Sequence, residues 1–276
     1  MSWSAIIGQP LAVRLLRQAV STQKVAHAYL FVGPQGVGKR LTAMELAKTL
    51  NCLSPRSEGA ACDTCVSCRK MGATPPIHPD LLVITPDGRF IKTDQMRELQ
   101  SEMYARPTEG RARVAIIDGA ERLNAEAGNR VLKLLEEPPG YAVFVLLTHN
   151  LAGVLPTIVS RCQIINFAPL ATEEVATFLR EHRGLDAGQA RLFAALSGGS
   201  IGRATELEGS PEVITRRDEA GDLLRRLADL DDVDLLAQAE GLEKQRENLD
   251  GWLEMLTIWL RDALVLSQGA PESLVV

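Results

Sequence analysis

The stretch AYLFVGPQGVGKRLT, from Ala28 to Thr42, decides the fold of the N-terminal part of the chain. An apolar strand pattern ends in a glycine-rich turn, and a helical pattern begins at Lys39. In this order, the backbone N–H groups of the turn and helix face an anion, and the lysine reaches the outer phosphates. The sequence therefore predicts a nucleotide-binding phosphate loop that uses Gly33, Gly36, Gly38 and Lys39.

Short apolar runs alternate with helical patterns on both sides of this loop, as far as about residue 168. Such alternation is typical of an α/β domain with a parallel sheet, and continuous apolarity indicates strands buried on both faces. The predicted strands are 28–33, 80–85, 113–118, 142–148 and 162–167. The predicted helices of this domain are 10–20, 39–51, 93–104 and 124–137.

From Pro169 onward the patterns are helical, and a capping Asp186 begins one of the predicted helices. The residues Gly209-Ser210-Pro211 mark a further boundary. Beyond them lies an apolar stripe at helical spacing, formed by Trp252, Met255, Leu256, Trp259, Leu260 and Ala263. The stripe is either the core of a helical bundle or a surface that packs against neighbouring subunits. We expect three domains, at residues 1–168, 169–208 and 209–276.

The composition is that of a soluble globular protein, with 46% hydrophobic and 24% charged residues. A net charge of -5 argues against an autonomous nucleic-acid binder, which usually needs a basic surface. The N-terminus does not resemble a signal peptide, and the longest apolar run, at 142–147, is too short to cross a bilayer. We therefore expect a cytoplasmic protein with no membrane partner.

A second nucleotide element is the run RVAIIDGAERLN, in which Asp118 ends an apolar strand. Ligands of α/β proteins bind at the carboxyl edge of the sheet, so Asp118 would hold or orient magnesium there. The residue after the loop lysine is Arg40, where phosphate loops carry the Ser or Thr that ligates this metal. This departure favours nucleotide binding over turnover.

Four of the five cysteines fall in one short segment, as Cys52, Cys62, Cys65 and Cys68. Cys-x2-Cys spacing lets two thiolates reach one ion, and four thiolates with no open position describe a structural zinc site. An iron–sulfur cluster is the alternative. The ligands lie in an insertion between a helix and the next strand, so the metal is expected to fasten the insertion.

Arg161 lies between a predicted helix end and the last strand of the α/β domain. It is either a surface salt-bridge partner or an arginine finger for a neighbouring subunit's nucleotide site.

Six segments together resemble the AAA+ clamp-loader subunits of bacterial DNA polymerase III over roughly residues 1–207. They are IIGQP, HAYLFVGPQGVGK, the four-cysteine insertion, IIDGAERLN, NRVLKLLEEPP and LPTIVSRCQIINF. The resemblance implies a RecA-like domain, a three-helix lid and a helical collar. It also implies a ring of five subunits, including gamma/tau and delta, that opens the sliding clamp and closes it on primed DNA with ATP.

Motor subunits of this family carry Gly-Lys-Thr/Ser in the loop and Asp-Glu after the strand, whereas this chain has Arg40 and Gly119. The resemblance therefore implies a rigid subunit with weak or no hydrolysis that holds ATP, ADP or no nucleotide. Glu121 is an alternative source of the missing carboxylate.

The resemblance further implies that Arg161 acts in trans on a neighbouring motor subunit and that Asn150 lies in the first nucleotide sensor. It assigns no role to Arg203, which is one place later than the family's second sensor arginine. The segment after the lid is shorter than the usual collar, so the collar is either short or incomplete.

Two further functions stay open at this point. The chain is an active motor ATPase of the same family, or it is an independent nucleic-acid binder that uses the Cys52 to Cys68 module. The acidic composition weighs against the second.

Overall fold

The computed structural model describes residues 3–56, 59–210, 212–227, 234 and 249–269. The chain divides into two compact units, Met1–Pro169 and Leu170–Val276. The further division that the sequence suggests, between residues 208 and 209, stays a prediction.

The first unit is built on a five-stranded parallel sheet in the order β2-β3-β4-β1-β5. The strands are β1 Ala28–Val32, β2 Leu81–Ile84, β3 Arg113–Asp118, β4 Ala142–Thr148 and β5 Gln163–Asn166. Each lies within a predicted run, and the predicted parallel sheet is confirmed. Every residue of β4 is buried, as expected for a central strand covered on both faces.

Strand register brings three strand ends level at the carboxyl edge of the sheet. Val32 of β1 pairs with Thr148 of β4, and Asp118 of β3 pairs with Leu147 of β4. The loop that follows β1 therefore lies close to the carboxylate that ends β3, with only β4 between the two strands.

Helices cover the sheet, and four of them match the helices predicted for this domain to within one residue at each end. The helices of the first unit are α1 Pro10–Ser21, α2 Lys39–Asn51, α3 Val66–Met71, α4 Thr93–Tyr104, α5 Ala125–Glu136 and α6 Pro156–Val159. The apolar stripe of α5 is buried in the same core cluster as Met96 and Leu99 of α4. Asn124 caps α5 by accepting a hydrogen bond from the N–H of Ala127 at 2.7 Å.

The described residues of the second unit form helices joined by short turns. Its helices are α7 Thr172–Phe178, which continues as a π turn at Leu179–Arg183, then α8 Ala187–Leu196, α9 Ile201–Glu208, α10 Glu212–Leu227 and α11 Leu249–Ser267. Asp186 caps α8 as predicted, because its carboxylate accepts from the N–H groups of Gly188 and Gln189. Arg203 lies exposed on α9.

The apolar stripe of α11 is buried at one end only. Trp252 and Met255 are buried, and the indole N–H of Trp259 donates to the carbonyl of Arg217 on α10 at 3.2 Å. Leu260 is 59% exposed, so the core interpretation holds for the first half of the stripe only. No described helix is both long and apolar enough to cross a membrane.

Candidate functional site

The phosphate loop joins β1 to α2, as the sequence predicts. Gly36 and Gly38 have φ of 71° and 101°, which is left-handed backbone that favours glycine. Gly33 lies so close to Phe167, the residue after β5, that a Cβ atom at Gly33 would be 2.2 Å from the Phe167 carbonyl oxygen. The three glycines therefore allow a tight loop, and the helix N-terminus that begins at Lys39 is suited to an anion.

The side chain of Lys39 is folded against the loop itself. It is 8% exposed, and its ammonium group donates to the carbonyls of Gly33 at 2.6 Å and Pro34 at 2.5 Å. Burial lowers the pKa of Lys39, and the negative charges of Asp118 and Glu121 offset part of this effect. To contact a phosphate, the ammonium group would exchange these two carbonyls for phosphate oxygens.

Arg40 and Asp118 form an ion pair. Nη1 of Arg40 lies 3.4 Å from Oδ2 of Asp118, and both side chains are partly open to solvent. The arginine that replaces the metal-binding hydroxyl thus contacts the carboxylate that was expected to hold magnesium.

A cavity of about 160 Å³ lies beside the loop at the carboxyl edge of the sheet. It is lined by Gln35, Lys39, Thr85, Pro86, Asp118, Gly119, Glu121, Arg122, Leu147, Thr148 and His149. The structure thus brings the predicted Lys39 and Asp118 to one cavity. Asn150 is exposed and is not among these lining residues.

The same cavity contains a carboxylate and imidazole pair that the sequence does not indicate. Oε1 of Glu121 lies 2.8 Å from Nδ1 of His149, and the Glu121 side chain is 8% exposed. Neither oxygen of Glu121 has a well-directed hydrogen bond among the described residues. The two residues lie after different strands, so their pairing depends on the strand order and leaves no signal in the local sequence.

The four clustered cysteines form a compact group of sulfur atoms. Their Sγ atoms all lie within 4.8 Å of one another, and those of Cys62 and Cys68 are 3.9 Å apart. Tetrahedral coordination at about 2.3 Å per Zn–S bond requires a sulfur separation of roughly 3.8 Å. The residues therefore fit a four-coordinate metal ion.

Backbone N–H groups support this arrangement of sulfur atoms. The N–H of Cys62 points to the sulfur of Cys52, and that of Cys65 points to the sulfur of Cys62, each at 3.3 Å. The hydrogen bond from Cys65 is the main cause that lowers the pKa of Cys62 to about 5, whereas burial raises the pKa of Cys68. Such bonds favour the thiolate form that metals bind.

Arg161 lies after α6, and three contacts hold its side chain. Its Nη2 is 2.7 Å from Oε1 of Glu136 at the end of α5, and its Nη1 donates to the carbonyl of Thr157 at 3.0 Å and to the hydroxyl of Ser160 at 3.3 Å. The side chain is 37% exposed. It is thus a positioned surface arginine, a geometry compatible with both predicted roles.

Comparisons with known proteins agree with this architecture. A family described as "DNA polymerase III, delta subunit" matches residues 8–171. DNA polymerase III subunit delta' of Bacillus subtilis is 32% identical over 279 residues, which covers 97% of this chain and 80% of the relative. Subunit delta' of Pseudomonas aeruginosa is 37% identical over 188 residues, covering 67% of this chain and 56% of the relative.

The Thermotoga maritima RuvB Holliday junction branch migration motor has a similar fold. The TM-score is 0.51 at 19% sequence identity, with 97% of this chain and 84% of that chain covered. The parallel sheet with its glycine-rich loop, together with the family match, defines an α/β subunit of the DNA polymerase III machinery. Because the family match covers more than half of the chain, the chain belongs to the delta'-type clamp-loader subunits of DNA polymerase III.

Proposed function

We propose that the chain serves as a comparatively rigid stator of the clamp loader and supplies Arg161 to the ATP site of a neighbouring subunit. Its partners are gamma/tau and delta subunits in a five-subunit ring, which loads the sliding clamp on primed DNA in the cytoplasm. The observation that carries this proposal is the anchored, exposed guanidinium group of Arg161.

The contacts of Arg161 leave it able to act in trans. Within the described part of the chain, its three contacts use at most three of its five N–H donors. The pair with Glu136 orients the planar group without burying it. A neighbour's phosphate oxygens can therefore accept from the remaining donors, as they do from an arginine finger.

The residues of the chain's own nucleotide site argue for weak or no ATP hydrolysis there. Arg40 pairs with Asp118 where a metal ligand is expected, and Gly119 offers no side chain where the family's motor subunits carry a carboxylate. A positioned general base contributes about 10² to 10⁴ in rate, so its loss alone slows hydrolysis strongly. We propose that the site holds ADP or ATP without turnover.

We also propose that the cysteine cluster holds a structural zinc ion. The four sulfur atoms leave no open coordination position, and among the described residues the apolar cluster around them consists of the cysteines and Ala61. With so little apolar surface of its own, the insertion depends on the metal for its local structure.

The test is ATP turnover by the reconstituted loader with clamp and primed DNA. We expect Arg161→Ala to slow hydrolysis at the receiving site by about 10³-fold or more, because fingers contribute roughly 10³ to 10⁵ in rate. Arg97→Ala is the matched control, since Arg97 also forms an exposed salt bridge, with Asp94 at 3.1 Å. Unchanged turnover with Arg161→Ala, in an intact assembly, would reduce Arg161 to a structural residue.

Hydrolysis by the chain itself is the second candidate function, and Glu121 is the observation that favours it. Its carboxylate lies in the same cavity as Lys39 and Asp118, although it is paired with His149. If this carboxylate positions water, the isolated chain turns over ATP and Glu121→Gln abolishes that turnover. If the chain is a stator, the isolated chain does not hydrolyse ATP, and Glu121→Gln changes nothing.

A further inference from the structure

At the metal position of the nucleotide site, one of the two groups that would hold Mg²⁺ is missing, and the other contacts an arginine. Phosphate loops supply a hydroxyl directly after the lysine and a carboxylate at the end of the neighbouring strand. Here the first position is Arg40, and the next hydroxyl along α2, that of Thr42, is fully buried and donates to the carbonyl of Gly38 at 2.9 Å. One of the two protein ligands is therefore missing.

The other ligand is already in contact with a fixed cation. Oδ2 of Asp118 lies 3.4 Å from Nη1 of Arg40, and a guanidinium group stays charged at any physiological pH. A divalent ion bound to this carboxylate would lie within a few ångströms of that charge and would be repelled by it. The residues present thus do not fit Mg²⁺.

We propose that this site binds a nucleoside di- or triphosphate as the metal-free anion, with Arg40 in place of Mg²⁺. This inference rests on the nucleotide site proposed above. Lys39 and Arg40 supply two adjacent positive charges at the N-terminus of α2, where the loop also presents backbone N–H groups. The Arg40 side chain is 53% exposed and has five donors, so it can contact Asp118 and a phosphate oxygen together.

The experiment measures binding of a fluorescent ADP analogue to the full chain with and without Mg²⁺. Magnesium is removed by omission and buffer deionisation, because a chelator would also strip metal from the cysteine cluster. We expect the affinity not to weaken when Mg²⁺ is removed.

Arg40→Thr restores the hydroxyl and removes the guanidinium group. We expect it to bind the metal-free analogue about 10- to 100-fold more weakly, because charge-assisted hydrogen bonds to phosphate are lost. Added Mg²⁺ should then strengthen its binding. Arg97→Thr is the matched control, since it removes another exposed arginine paired with one aspartate, and its affinity should equal that of the unaltered chain.

Three results would overturn the inference. The first is that the unaltered chain binds the analogue only when Mg²⁺ is present. The second is that Arg40→Thr binds the analogue as tightly as the unaltered chain, both with and without Mg²⁺. The third is that the unaltered chain binds no nucleotide in either condition. The last result would also remove the nucleotide site from the proposed function, while loader turnover with Arg161→Ala would still test the role of Arg161 separately.

Discussion

Gly119 is the position at which a single substitution most directly tests why this chain differs from a motor subunit. Its φ is 92°, and it begins the turn at Ala120–Arg122 that carries Glu121. A carboxylate directly after Asp118 therefore requires a side chain on left-handed backbone. We predict that Gly119→Glu does not produce hydrolysis, and that Gly119→Ala shows the backbone cost in isolation.

The magnitude follows from three contributions. Left-handed backbone costs a non-glycine residue roughly 1–2 kcal/mol. A Cβ atom at Gly119 would lie 3.3 Å from Cγ of Pro86, which must move slightly to accept it. Alanine also reduces the conformational entropy of the unfolded chain, which stabilises the folded protein by about 0.4–1 kcal/mol. The free energy of unfolding should therefore fall by roughly 1 kcal/mol, the balance of these terms.

Gly140→Ala is the matched control for this substitution. Apart from its two chain neighbours, no described residue places an atom within 4 Å of a Cβ built at Gly140, and the φ of Gly140 is outside the left-handed region. Only the entropy term remains there, so this variant should be neutral or more stable by up to about 1 kcal/mol.

The assay is thermal unfolding of the full-length variants, together with ATP turnover by Gly119→Glu. At roughly 2–4 °C per kcal/mol for a chain of this size class, Gly119→Ala should melt a few degrees below Gly140→Ala. Equal stability of the two alanine variants would refute the backbone argument. ATP turnover by isolated Gly119→Glu would show that the missing carboxylate, and not the backbone conformation at residue 119, prevents hydrolysis.

Three further predictions concern the cysteine cluster, the ion pair of Arg161 and the buried Asp80. Cys65→Ser should lose bound zinc and make residues 53–79 more sensitive to protease; full zinc content by elemental analysis would contradict the four-thiolate site. Glu136→Gln should slow loader turnover by no more than about fivefold, since an exposed ion pair is worth ~0.2–1 kcal/mol, and a loss equal to that of Arg161→Ala would contradict a mere orienting role. Asp80 is fully buried and accepts hydrogen bonds from the N–H groups of residues 108–110; burial raises its pKa, but these bonds outweigh that effect and lower it. This stabilisation is present above the unfolded-state pKa of about 4 and is lost as the pH falls through the lower folded-state pKa. The free energy of unfolding of Asp80→Asn should therefore depend less on pH across this acid range than that of the unaltered chain.

Local patterns predicted the sheet because burial on two faces leaves a readable signal. A run such as Ala142–Thr148, apolar at nearly every position, is suited to a central parallel strand, and the structure buries all of it. The stripe of α5 and the cap at Asp186 were predicted for the same reason, since periodicity and capping depend on residues a few places apart. The α11 stripe was only partly a core because spacing defines a face but does not say how far the neighbouring helix extends along it.

The sequence by itself determined the α/β class, the phosphate loop and the cysteine grouping, because each is encoded by neighbouring residues with a fixed spacing. Only the tertiary structure decided that Arg40 contacts Asp118, that Glu121 meets His149, and that Glu136 holds Arg161. Each pair joins residues that lie on or next to different strands and helices. The distances within these pairs are set by the order and register of the strands. No local pattern of side chains encodes that order or register.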